Sequence, residues 1–340
     1  MVRCDATVEA GTGHVMRCLA LSQAWMDAGG QVAYVCAALP QALAARISEE
    51  NIAVRRLECE AGSPQDMADT ILHARAFRAK WLVVDGYHFG PAYQRALAET
   101  GLKVIVIDDG GGATHHCADF VVNQNLYADE SLYPSRAPQT RLLLGCGFAL
   151  LRREFWQWRE RDRAVRSEAR NVLVTLGGAD AQNTSLSVLN ALIRTRKTYL
   201  EVTVLTGIVN PHEDSIRRLA ETSTIPIRVE HAVSDMPSQM AWADLAISAA
   251  GSTTWELLFM GLPSLVVAQA ENQQPIARAV GLAGAGVTLD PEHTGDWSST
   301  IARVLEDPVA RGHLSQTGRR LVDGWGAHRV VQEVLNSGTR

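Results

Sequence analysis

The stretch LAISAAGSTTWELLFMG (245–261) decides the fold. Residues 245–248 form an apolar run of strand length, and AAGSTTWE (249–256) is a turn of small residues that opens a helix. A strand that passes through such a turn into a helix is the start of a βα unit in a parallel sheet. Gly251 lets the backbone bend and leaves amides open, and Ser252 and Thr253 add hydroxyl donors. Glu256 lies one turn after Ser252 on the same helix face. Amides at a turn of this kind bind a diphosphate, and a carboxylate one turn on can take both hydroxyls of a ribose. The plainer role for Glu256 is to complement the helix dipole.

Working outward, the same alternation fills the second half of the chain. Apolar runs at 171–176, 201–205, 227–230, 264–267 and 287–289 alternate with helical patterns. GGAD (177–180) follows the first of them, ahead of a helix starting near Asn183, and is a second turn where a diphosphate can reach backbone amides at Gly178. HAVSDM (231–236) follows the run at 227–230 and offers backbone groups to a base edge. ENQQP (271–275) follows 264–267, where its amides and carboxylate can grip sugar hydroxyls.

The first half repeats the scheme, with runs at 31–36, 52–57, 81–85, 102–108 and 120–123. Helices fit at 14–28, stopped by Gly29-Gly30, and at 91–100, opened by Pro91 and closed by Gly101. The opening strand is short, with only Met1-Val2-Arg3 before the turn, which predicts a trimmed edge or a start codon placed a few residues late. The arginine-rich segment 151–170 reads as a charged, solvated helix joining two domains, its arginines interleaved with Glu and Asp. The resulting domains are 1–160 and 161–325, followed by a C-terminal helix at 326–340. Ligands of doubly wound sheets bind beyond the carboxyl ends of the strands, so the chemistry belongs on those edges.

Three turns in the first half carry candidate groups. DATVEAGTGHVMR (5–17) places Gly11 and Gly13 at a helix start with His14 beside them. An imidazole there is the natural general base at neutral pH. DGYH (85–88) and DDGGG (108–112) each set carboxylates at a strand end, where they orient a base, bind hydroxyls or cap the turn.

Composition narrows the class. The chain has 340 residues, 46% hydrophobic and 20% charged, with a net charge of −5. These values fit a two-domain globular protein and give no overall attraction to nucleic acid or anionic membranes. No apolar run reaches the roughly 20 residues of a membrane helix, and Arg3 and Asp5 interrupt any apolar leader. A cytoplasmic location without membrane insertion is expected. The six cysteines lack CxxC spacing and read as buried thiols, and His115-His116-Cys117 reads as a polar loop, so no metal site is expected.

Taken together, RCDA (3–6), GTGHVMRCLALS (11–22), DGYHF (85–89), VIDDG (106–110), LLGCGFALLRREF (143–155), GGAD (177–180), AGSTTWE (250–256), GLPSLVV (261–267) and ENQ (271–273) resemble a known family. It is that of the UDP-2,4-diacetamido-2,4,6-trideoxy-β-L-altropyranose hydrolases of pseudaminic acid synthesis, with relatives in spore-coat polysaccharide synthesis. AVSDMPSQMAWADLAIS (232–248), AGSTTWE and ENQQP also resemble the lipid-intermediate N-acetylglucosaminyltransferase of peptidoglycan synthesis. The resemblance implies an α/β protein of GT-B fold, two Rossmann-like doubly wound parallel-sheet domains facing across a cleft. It further implies a UDP-sugar substrate and UDP product, with uracil near Val233 and Met236, ribose on Glu256, and diphosphate on Gly178, Ser252 and Thr253. His14 is the implied base, and Gly13, Arg17, Tyr87, Asp109, Asn272 and Gln273 are implied substrate-binding residues. Ala179 departs from the pattern, standing where a hydroxyl residue is common and leaving only its amide.

The reaction so implied is water attack at the anomeric carbon with inversion, helped by amides and hydroxyls at the diphosphate and needing no cofactor. Two alternatives stand beside it. One is a GT-B glycosyltransferase using a sugar or lipid acceptor in place of water. The other is a nucleotide-sugar sensor without turnover.

Overall fold

The computed structural model describes residues 1–7, 11–110, 112–207 and 209–337 and divides into two compact units. Unit 1 comprises Met1–Arg153 with Gly324–Arg340, and unit 2 comprises Glu154–Asp323.

Unit 1 is built on strands β1 (Val2–Cys4), β2 (Ala33–Cys36), β3 (Ala53–Arg56), β4 (Trp81–Asp85), β5 (Lys103–Ile107), β6 (Phe120–Asn123) and β7 (Arg141–Leu144). They form one sheet in the order β3-β2-β1-β4-β5-β6-β7, with every neighbouring pair parallel. The central strands are buried along most of their length, as a sheet covered on both faces requires. Helices α1 (Gly13–Asp27), α2 (Gln41–Ser48), α3 (Pro64–Phe77) and α4 (Pro91–Glu99) supply the crossovers. Ser63 accepts from the Asp66 amide to cap α3, and Pro64 and Pro91 take the first-turn positions where a missing N–H costs nothing.

The short opening strand is not a trimmed edge. β1 lies inside the sheet between β2 and β4, Val2 paired with both Tyr34 and Val83. Three residues suffice because β2 and β4 flank it and supply the ladder on both sides. Strand β7 was not predicted at all. Its mixed burial and the charged Arg141 at its head hide the apolar pattern.

Unit 2 opens with α5 (Arg153–Trp156), a single turn that begins on the last residue of unit 1. The segment 151–170 is therefore not a continuous helix; beyond residue 160 it runs without regular structure. Its arginines go separate ways: Arg153 pairs with Glu50 and Asp27, Arg170 with Glu168, and Arg163 binds backbone carbonyls. Arg163 donates to the Met260 carbonyl at 3.0 Å, to that of Ala243 at 2.7 Å, and to that of Met240. These are the orphan carbonyls that two helix ends leave without partners.

The second sheet comprises β8 (Asn171–Thr175), β9 (Glu201–Thr206), β10 (Ile227–His231), β11 (Leu245–Ala249), β12 (Ser264–Val267) and β13 (Val287–Leu289). Its order is β10-β9-β8-β11-β12-β13, again all parallel. Between and after the strands run α6 (Thr184–Arg194), α7 (Glu213–Thr222), α8 (Met236–Trp242), α9 (Thr253–Phe259), α10 (Gln274–Leu282), α11 (Trp297–Glu306) and α12 (Pro308–Leu321). The last helix, α13 (Gly326–Ser337), returns to unit 1 and packs on α1. Gly326 makes that return feasible: a Cβ there would lie 2.2 Å from the Ala149 carbonyl oxygen.

In both sheets the strand order reverses once, between β1 and β4 in unit 1 and between β8 and β11 in unit 2. Crevices at the carboxyl ends of such strand pairs are where doubly wound sheets bind ligands.

Candidate functional site

At the reversal point of unit 1, four charged or titratable side chains converge. Asp85 ends β4, His14 is the second residue of α1, Arg17 lies one turn further along the same helix face, and Asp109 follows β5. His14 Nδ1 is 2.5 Å from Asp85 Oδ1. Arg17 grips the same carboxylate with both arms, Nε to Oδ2 and Nη2 to Oδ1, each at 2.7 Å. Its remaining Nη1 donates to Asp109 Oδ1 at 2.6 Å. The Asp85 side chain is fully buried and that of His14 is 11% exposed.

Burial alone would raise the Asp85 pKa, but the charge of Arg17, then His14, and their hydrogen bonds outweigh it and hold the carboxyl well below the usual range. Asp109 follows the same logic: burial opposes ionisation, and Arg17 reverses the balance. Both carboxylates are ionised and Arg17 is protonated at neutral pH. An ionised Asp85 accepts a proton donated by His14 Nδ1, which leaves Nε2 with its lone pair. Among the described residues Nε2 makes no hydrogen bond. A carboxylate that fixes the tautomer of an imidazole whose other nitrogen is open is the arrangement of an oriented base.

The remaining predicted residues of this unit fall around the cluster. Gly13 begins α1 beside His14. Tyr87 is 63% exposed, presents its ring edge-on to His14 at 5.3 Å, and donates from its hydroxyl to Asp109 Oδ2 at 3.3 Å. Arg17 is 6% exposed and occupied by two carboxylates, so it stands as a counter-ion within the cluster. The two adjacent aspartates divide: Asp109 joins the cluster, whereas Asp108 accepts from the Gly110 amide and the Tyr133 hydroxyl. Residues 8–10 of the first turn and Gly111 of the third lie outside the described residues.

Two supporting residues were not foreseen. Asn125 donates from Nδ2 to Asp109 Oδ1 at 3.0 Å, and the Tyr127 hydroxyl donates to the Asp109 carbonyl. The signal available was NQN (123–125), an amide-rich run directly after a strand.

At the reversal point of unit 2 the character changes. Gly177-Gly178 follows β8, and Gly251 and Ser252 lead from β11 into α9 with no side-chain cap on the helix. Ser252, Thr253 and Glu256 are each half-buried along this turn. Asp180 is 3% exposed and spends its carboxylate on the start of α6, accepting from the Thr184 amide at 2.8 Å and the Ser185 amide at 3.0 Å. Those two amides are thus engaged by the chain itself. Gln269, after β12, donates to Asp180 Oδ1 at 2.7 Å, and Gln273 accepts from the Gln269 amide at 3.0 Å. Val233 and Met236 are half-buried after β10, and Asn272 is exposed in the turn Glu271–Gln273. The predicted residues of this unit therefore follow β8, β10, β11 and β12 along one edge of the sheet.

Residues 171–304 match the glycosyltransferase family 28 C-terminal domain. The chain is 29% identical over 239 residues to the spore coat polysaccharide biosynthesis protein SpsG of Bacillus subtilis, covering 68% of this chain and 69% of that one. It is 25% identical over 280 residues to the UDP-2,4-diacetamido-2,4,6-trideoxy-beta-L-altropyranose hydrolase of Campylobacter jejuni, covering 82% and 94%. Among solved structures, MurG of Acinetobacter baumannii superposes with a TM-score of 0.65 at 16% identity, covering 98% of this chain and 99% of that one. Two parallel-sheet units with these neighbours make the fold GT-B.

Proposed function

We propose that the protein hydrolyses a UDP-sugar, of the UDP-diacetamido-trideoxyhexose class, at the bond between the anomeric carbon and the diphosphate. The observation that carries the reading is the 2.5 Å contact between His14 Nδ1 and buried Asp85 at the reversal point of the first sheet. His14 Nε2 takes a proton from water, the water oxygen bonds to the anomeric carbon, and the carbon–oxygen bond to UDP breaks with inversion. The electron pair leaves on the diphosphate. Unit 2 holds UDP, with the diphosphate on Gly178, Ser252 and Thr253, the ribose on Glu256 and the base near Val233 and Met236. Tyr87, Asn272 and Gln273 contact the sugar, and Arg17 and Asp109 hold the base in place. General-base action contributes roughly 10²–10⁴-fold, and hydrogen bonds to the departing diphosphate supply a further share.

Similarity to the Campylobacter hydrolase across 94% of its length supports water as the acceptor. The match of residues 171–304 to a glycosyltransferase domain supports a second reading, transfer of the sugar to an acceptor hydroxyl by the same base. Incubation with UDP-diacetamido and UDP-N-acetyl sugars in ¹⁸O-water tests both. Hydrolysis places one ¹⁸O on the released sugar and none on UDP. UDP release only on addition of an acceptor establishes transfer, and label in UDP refutes attack at carbon.

A further inference from the structure

One polar cluster on the carboxyl edge of the second sheet has no part in the scheme above. His231 ends β10 beside Thr206, which ends β9. Glu213, the first residue of α7, joins them: His231 Nδ1 lies 2.6 Å from Glu213 Oε2, and the Thr206 hydroxyl donates to the same oxygen at 2.9 Å. Arg217 holds the other carboxylate oxygen from Nε at 2.9 Å and from Nη2 at 2.6 Å. The imidazole is thereby fixed through Nδ1. Its Nε2 makes no hydrogen bond among the described residues, on a side chain 46% exposed.

The position of this ring matters more than its partners. Thr206 runs into Gly207, whose backbone presses on the turn after β8; a Cβ at Gly207 would lie 2.3 Å from Gly178 Cα. On its other side Ala232, at φ 50°, turns the chain toward Val233 and Met236. His231 therefore stands between the turn assigned to the diphosphate and the loop assigned to the base.

We infer that His231 is a specificity-determining residue whose Nε2 accepts the N3–H of a pyrimidine-dione base, selecting uracil over cytosine. The inference rests on the reading that unit 2 holds UDP. Glu213 accepts the Nδ1 proton, which leaves Nε2 with its lone pair toward the ligand. Uracil presents an N–H at N3 where cytosine presents a lone pair, and acceptor facing acceptor leaves polar groups without partners, a heavier loss than a missing contact.

Calorimetric titration of the full chain with UDP and with CDP tests this in the wild type, His231→Phe and His231→Gln. The wild type is expected to prefer UDP by roughly tenfold or more, the scale of one hydrogen bond. His231→Phe is expected to lower that ratio by about tenfold, and His231→Gln, which keeps an acceptor oxygen, to restore part of it. A thermal melt confirms that each variant is folded. An unchanged UDP-to-CDP ratio in folded His231→Phe, or a wild type that binds both equally, overturns the inference alone. A wild type that binds neither nucleotide overturns the parent reading and this inference with it.

Discussion

Asp85 and His14 are in contact, yet their removal has separable consequences. In His14→Asn the proton acceptor is gone, while Arg17 keeps its bonds to Asp85 and Asp109. The expected fall in kcat is about 10²–10⁴-fold, with a stability loss of about 1 kcal/mol because buried Asp85 gives up one hydrogen bond but keeps its ion pair with Arg17. In Asp85→Asn both change. Arg17, 6% exposed, loses the partner of its two-armed contact. Breaking a buried pair from one side costs about 3–5 kcal/mol; the surviving Asp109 contact places the value at the lower end. The new amide also donates toward Nδ1, so the ring proton moves to Nε2 and the open nitrogen is no longer a base. Tautomer reversal of that kind costs on the order of 10⁴-fold in kcat.

UDP release at saturating substrate and urea unfolding read the two effects separately. Groups that act as one unit are non-additive, so His14→Asn combined with Asp85→Asn is expected to be barely slower than the slower single variant. A folded Asp85→Asn whose kcat lies within tenfold of wild type would refute the oriented-base argument. Additive losses in the double variant would do so as well.

Other consequences are simpler to read. Asp5, Asp66, Asp85 and Asp109 all have folded pKa values below their ordinary ones, so the stability they contribute is complete above about pH 4 and is lost as pH falls further. A melting temperature that stays flat from about pH 5 to pH 3 contradicts this. Glu256→Gln is expected to weaken UDP binding by roughly tenfold while binding of free diphosphate is unchanged, because only the proposed ribose contact is lost; calorimetry with both ligands decides. Gly207→Ala is expected to destabilise unit 2 by about 2 kcal/mol or more, since its Cβ would lie 2.3 Å from Gly178 atoms; an unchanged urea midpoint rejects that close approach. Burial pushes the Cys18 thiol up to about 11 and that of Cys146 up to about 12 and also raises that of Cys4, while the hydrogen bond with Cys4, then burial, raises that of Cys36. Native protein at pH 8 is therefore expected to show rapid labelling by a thiol reagent at Cys59 and Cys117 at most, checked by peptide mass.

The sequence made the strands legible because a parallel sheet covered on both faces writes continuous apolar runs. Trp81–Asp85, Leu245–Ala249 and Ser264–Val267 are such runs, and each became a central strand. Arg141–Leu144 escaped because an edge strand with a charged head has no such pattern. The unformed helix at 151–170 shows a limit of charge patterning: interleaved signs are compatible with a solvated helix, but Arg163 is drawn off to the carbonyls of Ala243 and Met260, far away in sequence. At the candidate site, strand-end position revealed which residues lie on the edge. It did not reveal pairing. Asp85 and Asp109 read alike as strand-end carboxylates, and only the fold gives one to His14 and the other to Tyr87 and Asn125.

The two units share a strand order but differ in charge at the corresponding edge, and this difference sorts their tasks. In unit 1 one guanidinium faces two carboxylates, Asp85 and Asp109, which leaves the cluster with one net negative charge. That charge repels a diphosphate. In unit 2 the turns after β8 and β11 present glycine backbone and hydroxyls, and the carboxylate of the nearby Asp180 is turned to the amides of α6. A developing diphosphate charge is stabilised there and destabilised beside Asp85. Exchanging the assignments would set three negative groups around one arginine, so the proposed function puts the proton acceptor on the first unit and the leaving group on the second.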